Sequence, residues 1–405
     1  MKRALTSGFF ICTGFGNKVG PHFTPFRSGI GFEIRKHLHF GNFSREMADS
    51  DTVKNNIKTL ILRPDDFTID NVEDVITQIM QKKATSAQIA AFLVALKLHQ
   101  KDFDPEVVAT CSKVMLKFAL RLDLSMYEGL QDSLIDIVGT GGDNMNTFNV
   151  STAASIVVAG AGCKVAKHGN RASSSRSGSA DILENLGCVI GNVTPTQAPH
   201  IINSTNFCFL FAQNFHPALK HLASTRREIG VPSILNLLGP LTNPAEPKRV
   251  VIGVHSENLG MLVAKTLKIK GITEAMVVNG DIGLDEISPE GETTVWHVTQ
   301  SQPDIRKYKI SPADFGLPSH SISDVKGGTP EENAELLMEI LSNKYKGPIL
   351  DFILLNASAA LVVHGKAKDF KEGVELSRES ITSGRAKKAL ESFKEATLME
   401  SKFTN

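Results

Sequence analysis

The stretch from Leu134 to Ser179 limits the folds open to this chain more than any other. Leu134-Ile135-Asp136-Ile137-Val138 is an apolar run that predicts a buried strand, and it breaks into Gly139-Thr140-Gly141-Gly142-Asp143, which only a tight loop accommodates. Ala153 to Ala159 is small and apolar and predicts a packed helix, with Ser151 or Thr152 placed to cap its first turn. A strand, a glycine loop and a helix start in succession aim backbone N–H groups and the positive end of a helix dipole at one point. That arrangement suits a phosphate or pyrophosphate. A second loop adds side-chain charge. Lys167-His168-Gly169-Asn170-Arg171 follows the short apolar run Cys163 to Ala166, and leads into the hydroxyl-rich Ser173-Ser174-Ser175-Arg176-Ser177-Gly178-Ser179. Two anion-binding loops imply a highly phosphorylated ligand.

The flanking segments predict what carries these loops. Ile69, Val72, Val75, Ile76 and Ile79 recur at helical spacing, with Asp70 and Glu73 at capping-box distance. Thr85 and Gln88 repeat that signature before Ile89 to Leu98, and Asp104-Pro105 opens a third helix. Residues 48–125 therefore read as an N-terminal helical domain, with part of 217–240 packing on it. Beyond Gln131 strands and helices alternate: strands to Val138, near Val165, Phe207 to Phe211, Val250 to Val254 and Ala275 to Val278, and helices from Ser151, Asp181 to Leu186, Pro217 to Ile229 and Leu259 to Leu267. Such alternation predicts an α/β domain over 126–405 with a mainly parallel central sheet, hinged to the helical one near residues 120–132. Thr293 to Val298 reads as a hairpin strand, and helices at Leu354 to Val363 and Ala386 to Phe393 close the chain.

At 405 residues with a formal net charge of +1, the chain has a size suited to two domains and no broad basic field, which argues against a nucleic-acid partner. Its five cysteines are scattered and odd in number, as reduced thiols are, and no apolar stretch suggests a membrane span. A cytoplasmic location is the expectation. Residues 1–47 read as a leader apart from the fold: through residue 45 Glu33 is its sole acid against seven Lys or Arg. It reads either as an organellar transit peptide or as a segment absent or disordered, with translation starting at Met47.

Individual side chains sharpen the chemistry. Asp143 is awkward among anion-binding amides unless it serves a hydroxyl or a metal-bound water, so ribose or magnesium is implied. Asn149, Ser151 and Thr152 serve as helix caps and also stand where phosphate oxygens or a metal would sit. Lys167 and Arg171, with Asn170 and the serine run, predict a flexible cationic clamp. Gly283-Leu284-Asp285-Glu286 places adjacent carboxylates after a strand; such pairs are ordinarily just solvated, but one or two carboxylates are what magnesium on a pyrophosphate takes from a protein. Arg226, ahead of the apolar, proline-rigid Asn236 to Pro244, suits an aromatic carboxylic acid, and His216-Pro217 opens the same helix.

Together these residues resemble the anthranilate phosphoribosyltransferase family, with Gly139 to Asp143, Asn149 to Thr152, Lys167 to Arg171, Gly178 to Asp181, Asn236 to Pro244 and Gly283 to Ser288 in that family's order. The resemblance implies a small helical domain hinged to a larger α/β domain of the nucleoside phosphorylase and phosphoribosyltransferase kind, a homodimer formed through the helical part, and Mg2+. It implies transfer of the phosphoribosyl group of phosphoribosyl pyrophosphate to the amine of anthranilate, in tryptophan biosynthesis. It assigns phosphoribosyl pyrophosphate to Gly139, Gly142, Asp143, Thr147, Asn149, Ser151, Thr152, Lys167, His168, Gly169, Asn170, Arg171, Ala172, Ser173, Ser174, Ser175 and Ser179. Ser151, Asp285 and Glu286 would bind metal, and Gly139, Asn170, His216, Arg226 and Pro240 would meet anthranilate. Asn144 and Val231 to Leu235 depart from the family pattern, which touches loop mobility and substrate approach. Anthranilate's amine is neutral at pH 7, so no essential acid or base is expected and Lys167 and Arg226 act electrostatically. The rival readings are a pyrimidine-nucleoside phosphorylase and a noncatalytic nucleic-acid-binding relative on the same scaffold.

Overall fold

The computed structural model describes residues 52–172 and 176–399. The expectations for residues 1–47, and those for Ser173, Ser174 and Ser175, lie outside the described residues. The chain opens with helix α1 over residues 52–62, followed by α2 (Ile69–Met80), α3 (Ser86–Leu98) and α4 (Pro105–Lys117). At the start of α3 the Thr85 hydroxyl accepts from the Gln88 amide and the Gln88 side chain accepts from the Thr85 amide, the reciprocal bonds its spacing predicts. At α2 the capping pair is Thr68 and Asn71 instead of Asp70 and Glu73, because Thr68 is the last extended residue and Asp70 already lies inside the first turn. Asp104 caps α4 through the Glu106 amide.

The second part is a seven-stranded sheet in the order β3-β2-β1-β4-β5-β6-β7, built from β1 (Leu134–Gly139), β2 (Lys164–Gly169), β3 (Phe207–Phe211), β4 (Arg249–Gly253), β5 (Glu274–Gly280), β6 (Thr293–Thr299) and β7 (Arg306–Ile310). The first five strands run parallel and the last two antiparallel. Helix α5 (Val150–Gly160) links β1 to β2, and α6 (Ser179–Asn185), α7 (Ala198–Thr205), α8 (Leu222–Ile229) and α9 (Glu257–Ile269) follow. The expected helix over Pro217 to Ile229 is broken: a 3-10 turn spans Pro217–Leu219 and α8 begins only at Leu222. At the C-terminal end, α10 (Pro330–Leu341), α11 (Pro348–His364), α12 (Phe370–Thr382) and α13 (Arg385–Leu398) cover one sheet face.

Alternation along the strands divides the core. Ile135, Ile137, Val251, Met276 and Val278 face α5, α11 and α13, whereas Val250, Ile252, Ala275 and Val277 face α9, the helical bundle and Leu235 to Leu241. The 222–241 segment thus packs against the bundle while its chain neighbours hold the sheet. Strand order reverses between β1 and β4: β2 and β3 extend one way from β1, β4 and β5 the other. In such a sheet ligands sit beyond the carboxyl ends of the strands at the reversal.

Candidate functional site

Gly139 and Gly253 end β1 and β4 as register partners. Neither position admits a side chain: a Cβ on Gly139 would strike the Asp285 carboxylate, and one on Gly253 would strike the Asp285 backbone carbonyl. Two glycines at the point of strand reversal therefore let the 284–288 segment lie across the strand ends. Asp285 Oδ2 accepts the Gly141 amide at 2.6 Å, joining the carboxylate pair to the glycine loop. Gly141 and Gly142 adopt positive φ, 71° and 90°, as the loop needs to turn its amides outward.

A cleft of about 250 Å3 opens there, lined by Gly139 to Asp143, Thr147, Asn149, Ser151, Lys167 to Ala172, Ser177 to Ser179, Asp285 and Glu286. The structure brings the two loops and the carboxylate pair to one place. Thr152 is the exception: fully buried, it donates its hydroxyl to Ser179 from beneath the cleft. The helix α5 starts at Val150, so Ser151 and Thr152 stand inside its first turn, and Asn149 occupies the cap position without a side-chain bond to the helix amides. In that turn the Val150 amide bonds Phe148 O, while Ser151, at the cleft wall, has an amide with no side-chain cap, which suits an anionic ligand.

The expected clamp of Lys167 and Arg171 separates. Arg171 turns out to Glu184 and Asp181 and lies over the Phe211 ring, its guanidinium 5.5 Å from the centroid. Lys167 is buried, donating to Ile137 O at 2.7 Å and to Ser151 Oγ at 3.3 Å. Its charge is a fixed positive floor instead of a mobile arm. Burial pulls its pKa down, while Asp136 and Glu286 push it up. Asp136 is a residue sequence reasoning passed over, although a carboxylate inside an apolar strand was a visible signal. It accepts from the Ile137 and His168 amides and from the Asn243 side chain at 2.7 Å, and burial raises its pKa to about 6. Asn243 also donates to Ala166 O, so this pair ties the proline-rigid segment to β1 and β2. His255, likewise missed, lies 3.0 Å from Gly141 O.

Asp285 is pushed up to about 8, first by burial and then by the neighbouring Asp143, and Glu286 is raised by burial and by Asp285. Among the described residues no three His, Cys, Asp or Glu form a cage that holds an ion unaided. Crowded carboxylate oxygens beside anion-seeking amides instead fit a hard cation that takes its remaining ligands from water and a diphosphate.

A second pocket, about 500 Å3, shares Asn170 with the first and is lined by Met115, Gln213, His216, Leu222, Arg226 and Leu235 among others. Its wall is half apolar and half polar, with two cations, Arg226 and Lys220, an arrangement that suits an aromatic carboxylate. Pro240 is not part of it; it lines a separate small cavity with Leu116 and Lys270. His168 and His216 lie between the regions with ring centroids 5.3 Å apart and planes tilted by 57°, Nδ1 of His168 bonded to Gly239 O and Nε2 of His216 to Thr242 O. Burial, then His216, lowers the pKa of His168 to about 3.

Family models for the glycosyl transferase family match both parts, the helical bundle domain over residues 54–119 and the a/b domain over 131–387. An anthranilate phosphoribosyltransferase from Schizosaccharomyces pombe is 43% identical over 327 residues, covering 80% of this chain and 91% of its own. The chain belongs to the anthranilate phosphoribosyltransferase family. The family's Aquifex aeolicus enzyme is 42% identical over 82% of this chain and 94% of its own. Among solved structures, anthranilate phosphoribosyltransferase of Saccharomyces cerevisiae in complex with PRPP and Mg superimposes with a TM-score of 0.78 at 34% identity, over 86% of this chain and 98% of that one. The Thermus thermophilus enzyme of the same name gives 0.77 at 38% identity, over 86% and 100%. The helical-plus-α/β architecture expected from the resemblance is the one observed.

Proposed function

We propose that this chain transfers the 5-phosphoribosyl group of phosphoribosyl pyrophosphate to the amine of anthranilate, yielding N-(5-phosphoribosyl)anthranilate and pyrophosphate in L-tryptophan biosynthesis. The observation that carries the reading is the meeting of Gly141 and Asp285, which puts amide donors, a buried lysine and two carboxylates around one cleft. One S. cerevisiae family structure holds PRPP and Mg, another 4-fluoroanthranilate. Relatives at 42–43% identity carry the transferase name, which favours this reading over a nucleoside phosphorylase or a nucleic-acid-binding relative.

In the reaction the bond from the ribosyl carbon to the pyrophosphate oxygen breaks, a bond to the anthranilate nitrogen forms, and that nitrogen gives up one proton to solvent. The amides of Gly142 and of the first turn of α5, with Lys167 behind them, stabilise the charge that builds on the leaving oxygens. Asp285, Glu286 and Ser151 would hold magnesium, which would supply further neutralisation of the diphosphate. Arg226 anchors the anthranilate carboxylate so that the amine points past Asn170 to the first cleft. His168, with its low pKa, is a poor proton acceptor, which agrees with a reaction that needs no essential base.

We also place two copies in a homodimer through the helical part, where Ile61, Leu62, Val94 and Leu98 present exposed apolar side chains. No helix among the described residues is long and apolar enough to cross a membrane. A cytoplasmic site is our reading, or an organellar one if residues 1–45 act as a transit peptide; Cys111, Cys163, Cys188 and Cys208 are free and buried, as in a reducing compartment. The test is direct: anthranilate fluorescence falls when the protein, phosphoribosyl pyrophosphate and Mg2+ are mixed with it, and a steady signal overturns the reading.

A further inference from the structure

Two buried asparagines of the C-terminal helices reach back to the cleft without lining it. Asn333, on α10, is 2% exposed; its Nδ2 donates to Asn149 Oδ1 at 3.0 Å and its Oδ1 accepts the Gly328 amide at 2.8 Å. Asn149 Oδ1 also accepts the Ser177 hydroxyl at 2.9 Å, and Asn149 Nδ2 donates to Ser177 O at 2.8 Å. The Asn149 amide is thus the tie between the two anion loops, and Asn333 fixes which way round that amide lies, since only its oxygen can accept from Asn333 Nδ2. The backbone leading to α10 braces the same loop: Phe148 donates to Val325 O and Gly327 donates to Asn146 O, both at 2.9 Å.

Asn356, on α11, is fully buried and does the corresponding work at the carboxylate pair. Its Oδ1 accepts the Ile287 amide at 3.0 Å, and its Nδ2 donates to Ile287 O at 3.3 Å and to Phe352 O at 3.0 Å. Ile287 directly follows Glu286, so one side-chain amide grips both backbone polar groups of the residue next to the Asp285-Glu286 pair. A leucine would fill either helix position without the cost of desolvating an amide. Each amide instead directs its hydrogen bonds at one half of the site.

We propose that Asn333 and Asn356 are positioning residues with separate duties: Asn333 orients the diphosphate cradle through Asn149, and Asn356 sets the carboxylates that receive the divalent cation. The inference rests on the function proposed above and deepens it. It separates affinity for the phosphorylated substrate from affinity for the metal, two properties that a general loss of packing would lower together.

The experiment is calorimetric titration of phosphoribosyl pyrophosphate into wild type, Asn333→Leu and Asn356→Leu over a range of Mg2+ concentrations, with Tm recorded for each. Asn333→Ser and Asn356→Ser, which leave more room and one hydroxyl, replace the leucine variants if those do not fold. The Asn333 variant is expected to bind phosphoribosyl pyrophosphate roughly ten-fold more weakly at every Mg2+ concentration, and the Asn356 variant to lose a similar factor only at limiting Mg2+ and recover at saturation, as outer-layer partners of a site do. Direct Mn2+ titration followed by electron paramagnetic resonance should show weaker binding in the Asn356 variant and unchanged binding in the Asn333 variant. The same loss in both variants at every Mg2+ concentration, or a lowered Tm with wild-type binding, overturns the inference. Failure of the wild type to bind phosphoribosyl pyrophosphate overturns the functional reading instead.

Discussion

The amide of Gly141 and the carboxylate of Asp285 meet at 2.6 Å across 144 residues of sequence. The contact exists because β1 and β4 lie side by side at the reversal of strand order and end in glycines that leave the strand ends bare for the 284–288 segment. Fold topology, not local sequence, converts a glycine loop and a distant acidic pair into one cleft.

Gly253→Ala tests that dependence. Its Cβ would overlap the Asp285 backbone carbonyl, so the 284–288 segment must move away from Gly141. The expected cost is about 1–3 kcal/mol of stability, read as a lower denaturant midpoint, together with a weaker response of activity to Mg2+. A variant with wild-type Mg2+ dependence would show that the close approach is dispensable.

Arg226→Ala should raise the KM for anthranilate about ten-fold to a hundred-fold, the worth of a lost charge-assisted hydrogen bond. The KM for phosphoribosyl pyrophosphate should stay near the wild-type value, because Arg226 lines only the second pocket. Steady-state kinetics with each substrate varied in turn separates the two constants, and a rise confined to the phosphoribosyl pyrophosphate term would misplace the pocket.

His168→Gln and His216→Gln should retain more kcat/KM than Arg226→Ala or Asp285→Ala, since neither ring is placed as an essential base. A collapse of both histidine variants to background would reverse that ranking. Stability gives an independent reading. With a folded pKa near 3 against an ordinary 6.5, His168 contributes stability above pH 6.5 that is lost as pH falls toward 3, because the unfolded chain takes up the proton first. Chemical denaturation of His168→Gln should show a flatter pH profile between pH 4 and 6.5 than wild type.

Lys270 shifts with the same sign at higher pH. Its ammonium is largely buried, donating to Ser112 Oγ at 2.7 Å, and burial lowers its pKa from 10.5 to about 8. The unfolded chain therefore binds more protons between pH 8 and 10.5, so stability rises with pH across that window, and at pH 7 the whole penalty of burying the charge is present. Lys270→Met should stabilise the protein at pH 7 by about 1–3 kcal/mol, with the Ser112 hydroxyl still held by Leu241 O at 2.6 Å. A lower midpoint in the variant would show that the Ser112 bond outweighs desolvation.

Much of this was legible in the residues. The loops at Gly139 and Lys167, the Thr85 and Asp104 caps and the strand Phe207–Phe211 follow from local rules of turns, caps and apolar periodicity. What escaped is non-local. Strand β7 reads as a polar exposed segment because it is an edge strand, its residues from Arg306 to Lys309 mostly exposed. Arg171 reads as a clamp until Glu184, one helix later, claims its guanidinium. Lys167 reads as a mobile surface charge because nothing in its neighbourhood of sequence reveals that Ile137 O and Ser151 will surround it. Gly253 and Asn356 act on residues dozens of positions away, and no pattern in one sequence announces such a pairing.

We propose that one metal-bound diphosphate is held between the Gly139–Asp143 loop, the first turn of α5 and the Asp285-Glu286 pair. Crystals soaked with Mn2+ and phosphoribosyl pyrophosphate test it through an anomalous difference map. The predicted result is a manganese peak within coordination distance of an Asp285 or Glu286 oxygen and a diphosphate on the amides of Gly142 and Ser151. A peak elsewhere, or a diphosphate bound away from those amides, would contradict it.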